Sequence, residues 1–258
     1  MSAAPRIASL VPSVTELLAA LGLGPYLVAR TGYCIHPADV MASVPKVGGT
    51  KDVNLAKLQR LAPTHVIVNV DENRRDVVEA LRPGGAEVIV THPCAPEDVS
   101  ALIGQLVVAF GDLPGVAERA AAIDAELQAE LRATQPEGRV CVSVLYLIWR
   151  EPWMTVARDT YIARLLARVN WHTLPALAGG DHGAARYPVL TGVEPWLVDV
   201  RELLLSSEPY AFSAEHLAQA QALCPCARVR LVDGERLSWY GVRSAAGLRY
   251  LRDLAAWP

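Results

Sequence analysis

No run of basic residues occurs in this sequence, and its 24 lysines and arginines are outnumbered by 27 acidic residues, giving a formal net charge of -3. Such a balance offers neither a global nor a local attraction to nucleic acid or to an anionic membrane. Long apolar runs are also missing. The longest, ALIGQLVVAFG (Ala101 to Gly111), is too short to span a bilayer. Pro5 and Arg6 follow Met1 too closely to leave room for a secretory hydrophobic segment. The chain as given is therefore expected in the cytoplasm, or in the periplasm or at the cell surface if a leader has been removed. Cysteine is sparse: Cys34, Cys94, Cys141, Cys224 and Cys226 are an odd number without a leader, which favours reduced thiols over a disulfide framework. There is no phosphate loop and no nucleophile elbow, and Ser206 and Ser207 have no evident base beside them. The GLG of Gly22 to Gly24 follows a helical pattern instead of opening one, so it is no dinucleotide fingerprint.

What is present is the composition of a folded protein, 52% hydrophobic and 20% charged over 258 residues, enough for one large domain or two lobes. Short β-branched runs (RIASLV, YLVARTG, THVIVNV, AEVIVTH) alternate with helical patterns, the signature of a parallel sheet with crossover helices. A first helix is expected with Ser13 as N-cap and Glu16 completing a capping box, and Gly22 ending it. A second begins near Asn54, and a third runs from Asp71 as N-cap to the break at Pro83, Gly84 and Gly85. From Val116 to about Gln135 the chain is a strong helix former, with Val116, Ala120, Ile123, Leu127 and Leu131 on one stripe. Strand and helix alternation then restarts. The reading is an α/β protein of two Rossmann-like lobes with parallel sheets joined by one long rigid helix. Its parts are residues 1–113 as the N-terminal lobe, 114–136 as the linker helix and 137–258 as the C-terminal lobe. A helix of about twenty residues spans roughly 30 Å and resists bending. Ligands of open parallel sheets sit beyond the carboxyl ends of the strands, which makes the loop TGYCIHP (Thr31 to Pro37) a candidate wall of a binding site.

In order along the chain, RIASLVPSVTELLAALGLG, TGYCIHP, VGGTKDVNLAKLQRLAPTHVIV, the long helix and LVDGERLSWYG resemble the class III substrate-binding proteins of ABC importers, most of all the cobalamin-binding type. The resemblance covers nearly the whole chain. It implies two α/β lobes bridged by a rigid helix and a non-catalytic function, holding a metal chelate such as cobalamin, haem or an iron siderophore in the cleft, with no cofactor required. By position it places Tyr33, Trp149, Trp153 and Trp239 against the ligand, with Tyr240 beside them. Arg150, Arg158, Arg186 and Arg243 lie near those loops. Aromatic rings suit the wide apolar face of a corrin or porphyrin, and guanidinium groups suit its polar edge. The same resemblance implies docking to an ABC permease through a carboxylate on each lobe. The first falls on Ala56, followed by Lys57, and is missing; the second falls on Glu202.

Two Cys/His pairs carry a separate reading. Cys34 and His36 follow one strand, His92 and Cys94 follow another in mirror order, and together they would make a tetrahedral set for zinc. That set underlies the alternative of a metal-dependent enzyme or a direct metal-ion binder; the plainer reading makes the thiols buried fillers. Asn69, Asp71 and Glu72 read as caps, Asp181 and His182 as residues of a glycine-flanked loop, and Cys224-Pro225-Cys226 as structural. Trp171, Trp196 and Trp257 read as core.

Overall fold

Each β-branched run becomes a strand because parallel strands, covered on both faces, select side chains that are apolar without alternation. The computed structural model describes residues 4–81 and 84–256. In it β1 (Ile7–Ser9), β2 (Leu27–Arg30), β3 (His65–Asn69) and β4 (Glu87–Thr91) form a parallel sheet in the order β2-β1-β3-β4. A second parallel sheet has the order β6-β5-β7-β8, from β5 (Val142–Leu147), β6 (Trp171–Thr173), β7 (Glu202–Ser206) and β8 (Arg228–Val232). The chain is thus α/β with two parallel-sheet lobes.

It divides into two compact units. One holds the chain up to Pro93 with Val99–Glu126 and Tyr240–Val242; the other holds Cys94–Asp98, Leu127–Trp239 and everything from Arg243 on. The core of the first includes Ala8, Leu10, Ala29, Val47, Leu58, Val66 and Val68. That of the second includes Leu145, Leu147, Leu197, Leu203, Leu205 and Phe212. The helix Val116–Ala133 buries Val116, Ala120, Leu127 and Leu131 on the expected stripe and passes from one unit into the other after Glu126.

Two helix starts differ from the sequence signals. The first helix is Pro12–Ala20, capped by Val11 without a side-chain bond, so Ser13 lies inside it and no capping box forms. Pro12, its φ already helical and its missing N–H not needed there, starts the helix one residue ahead of the serine. The third helix is Arg75–Leu81. Asp71 does not cap it: the Asn69 side-chain oxygen accepts from the backbone N–H of Asp71 (2.8 Å) and Glu72 (3.2 Å), and that of Asn73 accepts from Asn69 N–H (2.8 Å). This side-chain turn absorbs the residues that would have been its first turn. Asn54 does cap Leu55–Arg60, accepting from Lys57 N–H at 2.9 Å. Trp171 is a core residue on β6 and Ser206 ends β7, while Trp257 and Pro83 lie outside the described residues.

Candidate functional site

The carboxyl edge of the first sheet is built by the segments that follow β2, β3 and β4. After β2 the burial pattern alternates: Thr31 and Cys34 are fully buried, whereas Tyr33 and Ile35 are 65% and 48% exposed. Cys34 Sγ lies 3.0 Å from Thr15 Oγ1 and 3.1 Å from Thr31 Oγ1, and Thr15 in turn donates to Ser9 Oγ at 2.7 Å. Burial pushes the Cys34 thiol up, against the pull of those hydroxyls. Behind the loop, Gly32 N–H donates to Gly48 O at 2.7 Å, and Gly48 (φ +109°) makes the tight turn in which Gly49 N–H reaches Asp52 O. After β3 and β4, Asp71 Oδ2 faces His92 Nε2 at 3.5 Å, and Lys51 Nζ donates to Asp71 O at 2.5 Å. Burial lowers the Lys51 ammonium, partly offset by the charges of Glu72 and Asp71.

The carboxyl edge of the second sheet is aromatic instead. Trp149, just beyond β5, is 41% exposed and meets Tyr210 edge-on at 5.5 Å. Tyr210 packs on Phe212 (4.7 Å), and Phe212 is stacked on Trp153 (6.1 Å). His216 closes the cluster: its Nδ1 accepts from Ser213 N–H at 3.0 Å, which leaves Nε2 to donate to Tyr210 Oη at 3.2 Å. Arg150 pairs with Glu151 (3.0 Å) and lies 6.0 Å from the Trp153 ring centre. With Pro152, Leu190, Thr191, Gln219 and Ala222 these residues line an open groove of about 510 Å³. Deeper, the loop after β6 is fixed by Arg186, 1% exposed, which donates to Gly180 O at 2.7 Å. Asp159 accepts from the backbone N–H of Gly179 and Gly180 (2.9 and 2.7 Å); although burial works the other way, these bonds leave its carboxyl below the usual range.

Several expected site residues are placed elsewhere. Trp239 is 8% exposed under the Arg243 guanidinium, 4.9 Å from the ring centre. Tyr240 is buried in the first unit and donates to Glu72 Oε1 at 3.0 Å. Neither presents a ring face to solvent. Cys34, His36 and His92 are in the first unit, and Cys94 is in the second, 3.4 Å from an Arg186 nitrogen. Among the described residues no group of three or more His, Cys, Asp or Glu is arranged to hold a metal ion. The reason lies in Cys34, whose side chain turns into a shell of hydroxyls and away from the loop surface. Glu202, expected as a docking carboxylate, is an inner residue: it opens the central strand β7, its side chain is 13% exposed, and it pairs with Arg230 at 2.9 Å. Ala56 is exposed on the helix Leu55–Arg60. Asp181 and His182 lie on an exposed loop. Cys224 is fully buried, its thiol pushed up to about 12 by burial, as suits an inert structural cysteine. Ile35 and Tyr210 were not marked by their residue types; only Ile35's place beside Tyr33 pointed to it.

The sequence pattern of the family described as periplasmic binding protein matches residues 7–179. The chain belongs to that family. Among sequence relatives of this periplasmic binding protein, the vitamin B12-binding protein of Pectobacterium carotovorum is 23% identical over 207 residues, covering 80% of this chain and 69% of the relative. Among solved structures, the periplasmic vitamin B12-binding protein BtuF of Vibrio cholerae superposes with a TM-score of 0.80 at 19% identity, covering 98% of both chains. The periplasmic haem-binding protein HutB of Vibrio cholerae superposes with a TM-score of 0.78 at 21% identity, covering 98% of this chain and all of the other. The fold is therefore that of the two-lobed periplasmic binding proteins, a family of binders and not of catalysts. No helix among the described residues is long and apolar enough to cross a membrane.

Proposed function

We propose that this protein binds a metal chelate of the corrinoid, haem or iron-siderophore class without transforming it. The observation that carries the reading is the presence, at the carboxyl edge of each sheet, of large side chains held out to solvent: Tyr33 and Ile35 at one edge and Trp149 at the other. Folding alone gives no reason to expose them, and flat apolar faces of this size suit the face of a macrocycle. The relatives named above, which bind vitamin B12 or haem, support the same ligand class. Contact through Trp149 and Tyr33 is part of the proposal, with Arg150 and Trp153 bordering the second aromatic surface.

The natural partner of such a protein is an ABC permease. Ala56 stands where one docking carboxylate is expected and Glu202 is paired with Arg230, which supports a docking surface built on other residues. The test of the ligand reading is titration of aquocobalamin and of haemin into the purified protein, read by calorimetry and by the ligand's absorbance. Saturable one-to-one binding of either supports it, and Trp149→Ala should then weaken that binding. No binding of either, with an iron-loaded siderophore also inert, overturns it.

A further inference from the structure

Arg30 ends β2, an edge strand, and is one of the two arginines in the buried polar core among the described residues, 6% exposed. Among the described residues, the acceptors of its side-chain hydrogen bonds are all carbonyl oxygens. Nε donates to Met41 O (3.0 Å) and Val44 O (3.2 Å), at the carboxyl end of the short helix Ala38–Ala42 and just beyond it. Nη1 donates to Thr31 O (3.2 Å) and Cys34 O (3.0 Å), inside the loop that carries Tyr33 and Ile35. Its own backbone adds two more ties, from Arg30 N–H to Pro45 O and from Val47 N–H to Arg30 O. One guanidinium thus knots residues 31–34 to 41–44.

Taking a guanidinium out of water is costly, and the cost is offset here by the carbonyls that Arg30 holds. The edge of a sheet needs no cation. What the charge does here is fix the backbone on either side of Tyr33. With the Cys34 carbonyl held by Arg30 and its thiol held among Thr15, Thr31 and Ser9, Cys34 has one orientation, and its neighbours Tyr33 and Ile35 are forced outward. We infer that Arg30 is a positioning residue which presets Tyr33 and Ile35 as a rigid apolar ridge before any ligand arrives. The inference rests on the chelate-binding reading for its functional consequence, but not for its structural one. Binding to a preset surface avoids the loss of loop and side-chain freedom that otherwise weakens association.

The test compares wild type with Arg30→Met, which keeps bulk and loses every donor, and with Arg30→Lys, which keeps charge but reaches fewer carbonyls. Two readouts are taken at a temperature where circular dichroism shows each variant fully folded: amide hydrogen exchange across residues 31–35 against that of β3 and β4, and the Kd for aquocobalamin and haemin. Expected in Arg30→Met is exchange at least tenfold faster in residues 31–35, unchanged exchange in β3 and β4, and a Kd raised at least tenfold for whichever chelate wild type binds. Arg30→Lys should fall between, and it serves alone if Arg30→Met does not fold. Unchanged exchange in the loop overturns the positioning role. Faster exchange with an unchanged Kd overturns the claim that the ridge meets ligand. If wild type binds neither chelate, the binding reading fails by itself and the exchange result still decides the positioning of the loop.

Discussion

Gly247 lies inside the helix Ser244–Ala256, where replacing glycine by alanine ordinarily stabilises by about 1 kcal/mol. Here the sign should reverse. A Cβ built on Gly247 meets the backbone oxygen of Arg236 well inside 3.0 Å, a distance that real Cβ atoms essentially never show, and the obstacle is a carbonyl in the neighbouring helix Gly234–Ser238. A flexible side chain would swing aside, but this carbonyl moves only if its helix moves, and Leu237 in that helix is fully buried. Forced overpacking costs about 1–3 kcal/mol, so after subtracting the propensity gain Gly247→Ala should destabilise by up to roughly 2 kcal/mol.

Gly104 is the matched control. It sits within the helix Asp98–Phe110 with no atom within 4 Å of a built Cβ, so Gly104→Ala should stabilise by up to about 1 kcal/mol. For a protein of this size each kcal/mol moves Tm by about 2–4 °C. The two glycines belong to different compact units, so thermal melts followed by circular dichroism should be compared with urea unfolding, which reports separate transitions if the units unfold independently. The reasoning is refuted if Gly247→Ala raises Tm as Gly104→Ala does, because the two helices would then be free to part.

Trp149→Ala should cost about 2 kcal/mol of chelate binding, or roughly thirtyfold in Kd by titration, with little change in Tm because the ring is partly exposed. Burial holds the Glu208 carboxyl above its usual range, despite the bond from Ser238 Oγ at 2.7 Å. The folded state therefore holds that proton more tightly than the unfolded state, and the associated stability is present below the unfolded value, near 4.3, and lost as pH rises through the folded one. Urea midpoints measured upward from about pH 4 should fall less steeply in Glu208→Gln than in wild type. Arg186→Met should destabilise by about 3 kcal/mol in urea unfolding, because it strips the buried donor from Gly180 O and leaves Asp159 without its cation.

The inner strands were legible because they are buried on both faces, so position along the chain and apolar character coincide. Legibility failed where a side chain, and not the backbone pattern, decides the local course. Pro12 moved a helix start, and the paired oxygens of Asn69 and Asn73 bent the chain where Asp71 was expected to cap. Among the candidate site residues the exposed pair Tyr33 and Trp149 could be read from loop position. Trp239 and Tyr240 could not: both are buried, Trp239 under Arg243 and Tyr240 with its hydroxyl donating to Glu72, 168 residues away in sequence. The Cys/His set shows the same limit. Spacing put two thiols and two imidazoles on neighbouring loops, but inward or outward orientation is settled by Thr15 and Arg30, whose role no spacing rule announces.

On the proposed reading, the charges at the first edge bear on which chelate is bound. A ligand touching the first edge meets Lys51 and His92 together with the carboxylates of Asp71 and Glu72, two potential cations against two anions, with Lys51 already donating to a carbonyl and Asp71 already facing His92. A ligand with carboxylates at its rim gains little there, since each attraction to Lys51 is opposed by two neighbouring carboxylates. An amide-rimmed ligand is favoured, since amides donate to carboxylates and accept from ammonium or imidazole without a net charge to desolvate. Aquocobalamin, whose corrin carries amide side chains, should therefore bind more tightly than haemin with its two propionates. Raising the salt concentration should leave binding of cyanocobalamin, which carries no net charge, nearly unchanged, because no charge pairing drives it. A tighter Kd for haemin, or cyanocobalamin binding that collapses with salt, would show that the charges at the first edge do not offset one another as argued.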